Sequence, residues 1–175
     1  ANQPLDVVID ALQPDTAYTY RVRYRTGNTG EFSATEAGTF HTQRAADNAF
    51  AFAIQADSHL DTNSSLDVYA QTLANERADQ PDFLIDLGDT FMTDKYQPYT
   101  AAQPQYLAQR ALFGTLAPSP LFLVLGNHDG ESSAPGGKSP DMPAWSAQLR
   151  TTYFPNPVPD AFYSGGSQQN YYAWT

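Results

Sequence analysis

The chain contains no cysteine. That excludes disulfides and thiolate metal sites, leaves the redox compartment unreadable, and confines any bound metal to oxygen and imidazole donors. Charge is also scarce and mostly of one sign: charged residues make up 16%, with nine Lys and Arg against nineteen Asp and Glu and a formal net charge of -10. No basic stripe is available to follow a phosphate backbone, so a broad nucleic-acid surface is excluded. No apolar run approaches the ~20 residues of a membrane-spanning helix. No charged n-region followed by an apolar h-region opens the chain, so a signal peptide is expected to be absent or already removed. What is present is a globular composition, 41% hydrophobic and 13% aromatic, over 175 residues, enough for one ordinary domain and part of another.

Two textures divide the chain. Residues 1–43 alternate apolar and polar side chains, as in VVIDALQPDTAYTYRVRYRT, with turn chemistry at TGNTGEF; this reads as all-β. After a polar connector, QRAADN, strand and helix patterns alternate over 49–175. The expected strands are Phe50 to Gln55, Phe83 to Leu87 and Leu121 to Leu125. The expected helices are Ser65 to Ala78, capped by Asn63 or Ser64 with Leu66, Tyr69, Ala70, Leu73 and Arg77 on one face, then Gln103 to Leu116 and Ala144 to Tyr153. That βαβαβα order predicts a layered α/β domain. Residues 130–143 read as a loop on a possible site rim, and the aromatic tail from Phe162 reads as a hairpin.

All three expected strands end in the same kind of chemistry: Asp57-Ser58-His59, Gly88-Asp89-Thr90, and Gly126-Asn127-His128-Asp129. Ligands of open α/β sheets bind at the carboxyl ends of strands, and neighbouring strands lie about 4.8 Å apart, so the three clusters can converge. Asp, His and Asn donors suit zinc, manganese or iron. Taken singly, Asp57 reads as a helix cap, His59 as a surface histidine, Asp89-Thr90 as a turn and His128 as a loop residue. Their coincidence at consecutive strand ends favours a metal site. Asp61, Asp94 and Asp141 read as solvated loop acids, His41 as structural, and Trp145, Trp174, Tyr171 and Tyr172 as core.

The series Asp-x-His, Gly-Asp and Gly-Asn-His-Asp, each after an apolar strand and at intervals of about 30 to 40 residues, resembles the calcineurin-like metallophosphoesterase superfamily. Residues 1–43, with Leu12-Gln13-Pro14-Asp15-Thr16-Ala17-Tyr18, resemble the end of a fibronectin type III-like sandwich, Tyr18 being the corner tyrosine, an arrangement similar to purple acid phosphatases and their relatives. The resemblance implies a metallophosphoesterase-type α/β sandwich, incomplete at its C-terminus, preceded by the last strands of an all-β module. It implies two divalent or trivalent metal ions (Fe, Zn or Mn), with Asp57 and His59 on the first, Asp89 bridging and Asn127 on the second. A hydroxide held between them would attack phosphorus in line. His128 would contact the phosphoryl group or protonate the leaving oxygen, with Asp129 orienting its ring. The implied partner is a phosphoester small molecule or a phosphoprotein; a secreted, extracellular or periplasmic setting follows from the upstream module.

Two departures matter. Met92 stands where purple acid phosphatases carry their colour-giving tyrosine, and His59 is a residue their first motif ordinarily lacks, which places the chain nearer the wider superfamily. The resemblance also implies three further histidines downstream, and none follows His128; the expectation is that the parent chain supplies them and that these residues alone bind metal poorly. The competing reading is an extracellular structural or adhesive protein that keeps the fold without catalysis.

Overall fold

A computed structural model describes residues 4–132 and 139–174. The all-β segment holds β1 (Ala17–Tyr20), β2 (Arg23–Tyr24), β3 (Ser33–Ala34) and β4 (Gly38–His41). β1 pairs antiparallel with β4, and β2 with β3. Tyr18 and Phe40 face each other across the first ribbon and stack at 5.6 Å, and the Tyr18 hydroxyl accepts from the Gln13 N–H at 2.8 Å. Four strands in two ribbons do not by themselves make a fibronectin-type sandwich.

The second part alternates β5 (Phe52–Gln55), α1 (Leu66–Ala78), β6 (Phe83–Asp86), α2 (Gln103–Phe113), β7 (Leu121–Leu123) and α3 (Met142–Tyr153), and ends in the hairpin β8 (Ser164–Gly165) and β9 (Tyr172–Ala173). β5, β6 and β7 form a parallel sheet in that order, so their carboxyl ends lie side by side. Alternate residues point to opposite faces. Leu84, Asp86 and Leu123 are buried on one face. On the other, Phe122 stacks on Trp174 at 4.4 Å, and the Tyr172 hydroxyl donates to the Leu123 carbonyl. Tyr171, expected in the core, is exposed, because pairing in the hairpin sends adjacent side chains to opposite sides.

α1 starts one residue later than its expected caps. Asp61 takes up the Asn63 N–H on its carboxylate and the Ser64 N–H on its carbonyl, so Ser65 becomes the cap, accepting from Val68 N. Only the middle turns of the helix bury: Tyr69 meets Phe113 edge-on at 6.5 Å and Leu73 is enclosed. Leu66, expected on that face, is 57% exposed, and Arg77 reaches out to the Thr115 carbonyl. Beneath the sheet, Phe91 and Tyr106 stack at 4.0 Å and join Phe113, Leu116 and Phe154 in the core. Trp145 is half-buried edge-on to Tyr99 and Tyr106. Arg150, fully buried on α3, pairs with Glu131 and donates to the Gln168 and Gln169 carbonyls. That clasp ties the chain just after Gly130 to α3 and the tail. Among the described residues, no helix is long and apolar enough to cross a membrane.

Asp86 closes β6 from inside the protein, accepting from Gly88 N, Thr90 Oγ1 and Gln55 Nε2. Burial nevertheless pushes its carboxyl above the usual range, and burial does the same to Glu76. A raised folded-state pKa means the folded protein holds the proton more tightly than the unfolded chain, so this contribution is present below about pH 4 and is lost as pH rises through the folded value. The urea midpoint of the metal-free protein is therefore expected to fall as pH rises above about 4, and Asp86→Asn should flatten the slope. A midpoint that rises steadily over that range in both proteins would contradict the burial argument.

Candidate metal centre

The chain leaving β5 is laced to the chain leaving β6: Asp57 N–H donates to the Gly88 carbonyl at 3.0 Å, and His59 N–H to the Asp89 carbonyl at 3.3 Å. Asp57, His59, Leu60 and Asp89 all take left-handed backbone, with φ of 58°, 54°, 53° and 54°. Such values are uncommon outside glycine and persist where surrounding structure enforces them, often at functional sites. Gly88 has φ 95°, and a Cβ there would run into the backbone of Leu125 and Gly126; a Cβ on Gly126 would strike the Asp89 amide and carboxylate. The two glycines let the ends of β6 and β7 touch. Gly126→Ala should therefore displace Asp89.

These turns bring Asp57, His59 and Asp89 together, with one ligand atom from each lying within 4.8 Å of the others. His59 Nε2 is 3.3 Å from Asp57 Oδ1, and its Nδ1 faces Asp61 Oδ2 at 3.6 Å, with Lys95 Nζ 3.9 Å from the same oxygen. Asp61 is thus mostly shielded and fixed by the Asn63 N–H, not the solvated loop acid expected. His128 joins through its backbone, donating its N–H to Asp89 Oδ1 at 2.8 Å. Asn127 precedes His128 in the turn after β7. It is exposed, on the wall of an open cleft with Gly126, Glu131, Ser132 and Pro143.

The expected role of Asp129 is corrected. Its carboxylate is 1% exposed and turned inward, where Oδ1 accepts from Thr90 N and Phe91 N at 2.8 Å each and Oδ2 from Asp89 N at 3.1 Å and Gly126 N at 2.8 Å. Four backbone donors leave it no place beside the His128 ring. Burial pushes its carboxyl up to about 6, against the pull of those N–H bonds. The carboxylate beside the ring is Asp94, with both oxygens 3.0 Å from His128 Nδ1. Asp94 was expected to be a solvated acid; the short turn Thr93–Lys95 instead folds it back over the site.

Sequence reasoning also missed Gln105 and Gln109 on α2. Both are buried and bond the chain around Ser58, His59 and Thr90. A signal existed: two amides four residues apart lie on the same helix face, beside the apolar Tyr106 and Phe113, and polar residues at core positions mark a functional need.

A family model for calcineurin-like phosphoesterases matches residues 50–172. The chain belongs to this family. The parallel α/β arrangement fits a metallophosphoesterase-like fold, and membership supports metal-dependent phosphoester hydrolysis. No curated protein and no solved structure gave a significant match to the chain. In this calcineurin-like phosphoesterase the donors at the strand ends fit a metal: two carboxylates and an imidazole, converging on one point, form a set suited to zinc, manganese or iron.

Proposed function

We propose that the protein is a phosphoester hydrolase with a binuclear metal centre, in which Asp57 and His59 hold one ion, Asp89 is shared, and Asn127 serves the second. The single observation that carries this reading is the convergence of Asp57, His59 and Asp89 on strained turns at adjacent strand ends. Bound there, the cations would supply a nucleophile derived from water near neutral pH and neutralise charge on the phosphoryl oxygens. His128 is the residue that contacts the phosphoryl group or gives a proton to the leaving oxygen. Asp94 faces Nδ1 of that ring, which leaves Nε2 to make the transfer. The proposed substrate is a phosphoester small molecule or a phosphoprotein, in an extracellular or periplasmic setting. Residues 49–175 form the catalytic unit, and residues 1–43 the end of a fibronectin-like module, a reading supported by the Tyr18 to Gln13 bond.

The test is hydrolysis of aryl phosphate monoesters and diesters by the full-length protein before and after chelation. Activity should vanish with chelator and return with Mn²⁺, Zn²⁺ or iron; turnover indifferent to chelation would overturn the reading. Asp94→Asn should lower kcat about 10- to 100-fold with little change in KM, because an orienting carboxylate acts on proton transfer more than on binding. An unchanged kcat would remove Asp94 from the mechanism.

A further inference from the structure

The left-handed turns that carry the ligands need something to hold them, since each such residue costs on the order of 1–3 kcal/mol unless its surroundings over-determine it. The sheet ends at these residues and its ladder does not constrain them. Backbone bonds between the two turns and the buried Asp129 carboxylate hold them in part; α2 supplies a further constraint. Gln109, 0% exposed, places its amide N–H₂ on two targets, the Ser58 hydroxyl at 2.8 Å and the Thr90 carbonyl at 2.9 Å. Ser58 lies between Asp57 and His59, and Thr90 follows Asp89. One side chain thus grips both ligand-bearing turns. One helical turn earlier, Gln105 donates to the His59 carbonyl and lies 3.5 Å from that of Thr90.

Both amides are anchored from behind. The Gln109 oxygen accepts from the Tyr69 hydroxyl of α1 at 3.0 Å, and the Gln105 oxygen from the Tyr96 hydroxyl at 3.0 Å. Burial raises the Tyr69 hydroxyl to about 12, so it remains a donor throughout the physiological range. Each amide therefore has its oxygen fixed by a tyrosine and its nitrogen committed to a turn. A buried polar network satisfied in this way is rigid, and it specifies one arrangement.

We propose that Gln105 and Gln109 are positioning residues of the metal centre, a two-amide clamp by which α2 locks the Asp57–His59 and Asp89 turns in their ligand-presenting conformation before any ion arrives. The proposal rests on the metal-site reading above. Neither glutamine contacts the ligand atoms; both act through the backbone and the Ser58 hydroxyl. Partners that orient metal ligands typically change affinity about 10- to 100-fold when replaced, and that is the range expected here.

The experiment is Mn²⁺ titration of the full-length protein, with free Mn²⁺ read by electron paramagnetic resonance, for wild type, Gln109→Leu, Gln109→Glu and Gln105→Met. Gln109→Glu keeps the acceptor for Tyr69 and removes the two donors, so it retains shape if Gln109→Leu fails to fold. Leu116→Ala is the control for destabilisation alone, since Leu116 is a core residue beyond the end of α2. Asp57→Ala tests the site itself. The clamp requires that the glutamine variants bind Mn²⁺ at least 10-fold more weakly at a temperature where all proteins are fully folded, while Leu116→Ala binds as wild type. Wild-type affinity in the glutamine variants, with Asp57→Ala weakened, overturns the clamp alone. Wild-type affinity in Asp57→Ala overturns the metal-site reading and the clamp with it.

Discussion

Asp89→Ala is expected to lower kcat/KM for phosphoester hydrolysis by about 10³-fold or more, the largest loss of any single substitution in the site. Three properties meet at this residue. Its carboxylate is one of the three convergent donors; its Oδ1 accepts the His128 N–H; and its left-handed backbone packs against Gly126 with no room for another atom. Removing the carboxylate therefore takes away a proposed metal ligand and frees the turn that presents His128. Asp89→Asn separates the two effects, because an amide oxygen can still accept from His128 while the negative charge is gone. It should restore the position of His128 and little of the activity. Steady-state kinetics on folded protein decide the matter, and a loss of less than tenfold in Asp89→Ala would remove Asp89 from the centre of the mechanism.

Asp129→Ala should destabilise the fold by about 4 kcal/mol or more, on the reasoning that a buried donor left without its acceptor costs at least about 1 kcal/mol and that four are affected together. Against a total stability of about 5–15 kcal/mol for a domain, this approaches unfolding. The donors belong to Asp89, Thr90, Phe91 and Gly126, so the damage falls on the junction of the β6 and β7 turns. Asp129→Asn offers one acceptor oxygen and turns an amide N–H₂ toward the remaining donors, so it should fall between alanine and wild type. Urea unfolding measures both. A cost below 1 kcal/mol for Asp129→Ala would mean that water replaces the carboxylate and that its four bonds are incidental.

The order of elements was legible because each strand is a short apolar run and each helix has a clear apolar spacing, as in Phe83 to Asp86 and Gln103 to Phe113. Convergence of Asp57, His59 and Asp89 was legible for a related reason: consecutive parallel strands place their carboxyl ends together, whatever the loops do. Roles within the turns were not. Asp129 and Asp94 are both carboxylates near His128 in sequence or space, and nothing local says that the adjacent one turns inward to four amides while the distant one folds back to the ring. Leu66 failed for the opposite reason, since periodicity tells which residues share a face but not how far along the helix its partner extends. Gln105 and Gln109 could have been noticed as polar residues on a core face, but their targets depend on tertiary placement.

The central claim is that Asp57, His59 and Asp89 together hold metal. Element analysis of the full-length protein after extensive dialysis, wild type beside His59→Ala, tests it most directly. Wild type should retain zinc, manganese or iron, and His59→Ala should retain clearly less while folding normally. Equal metal content in the two proteins would contradict the claim.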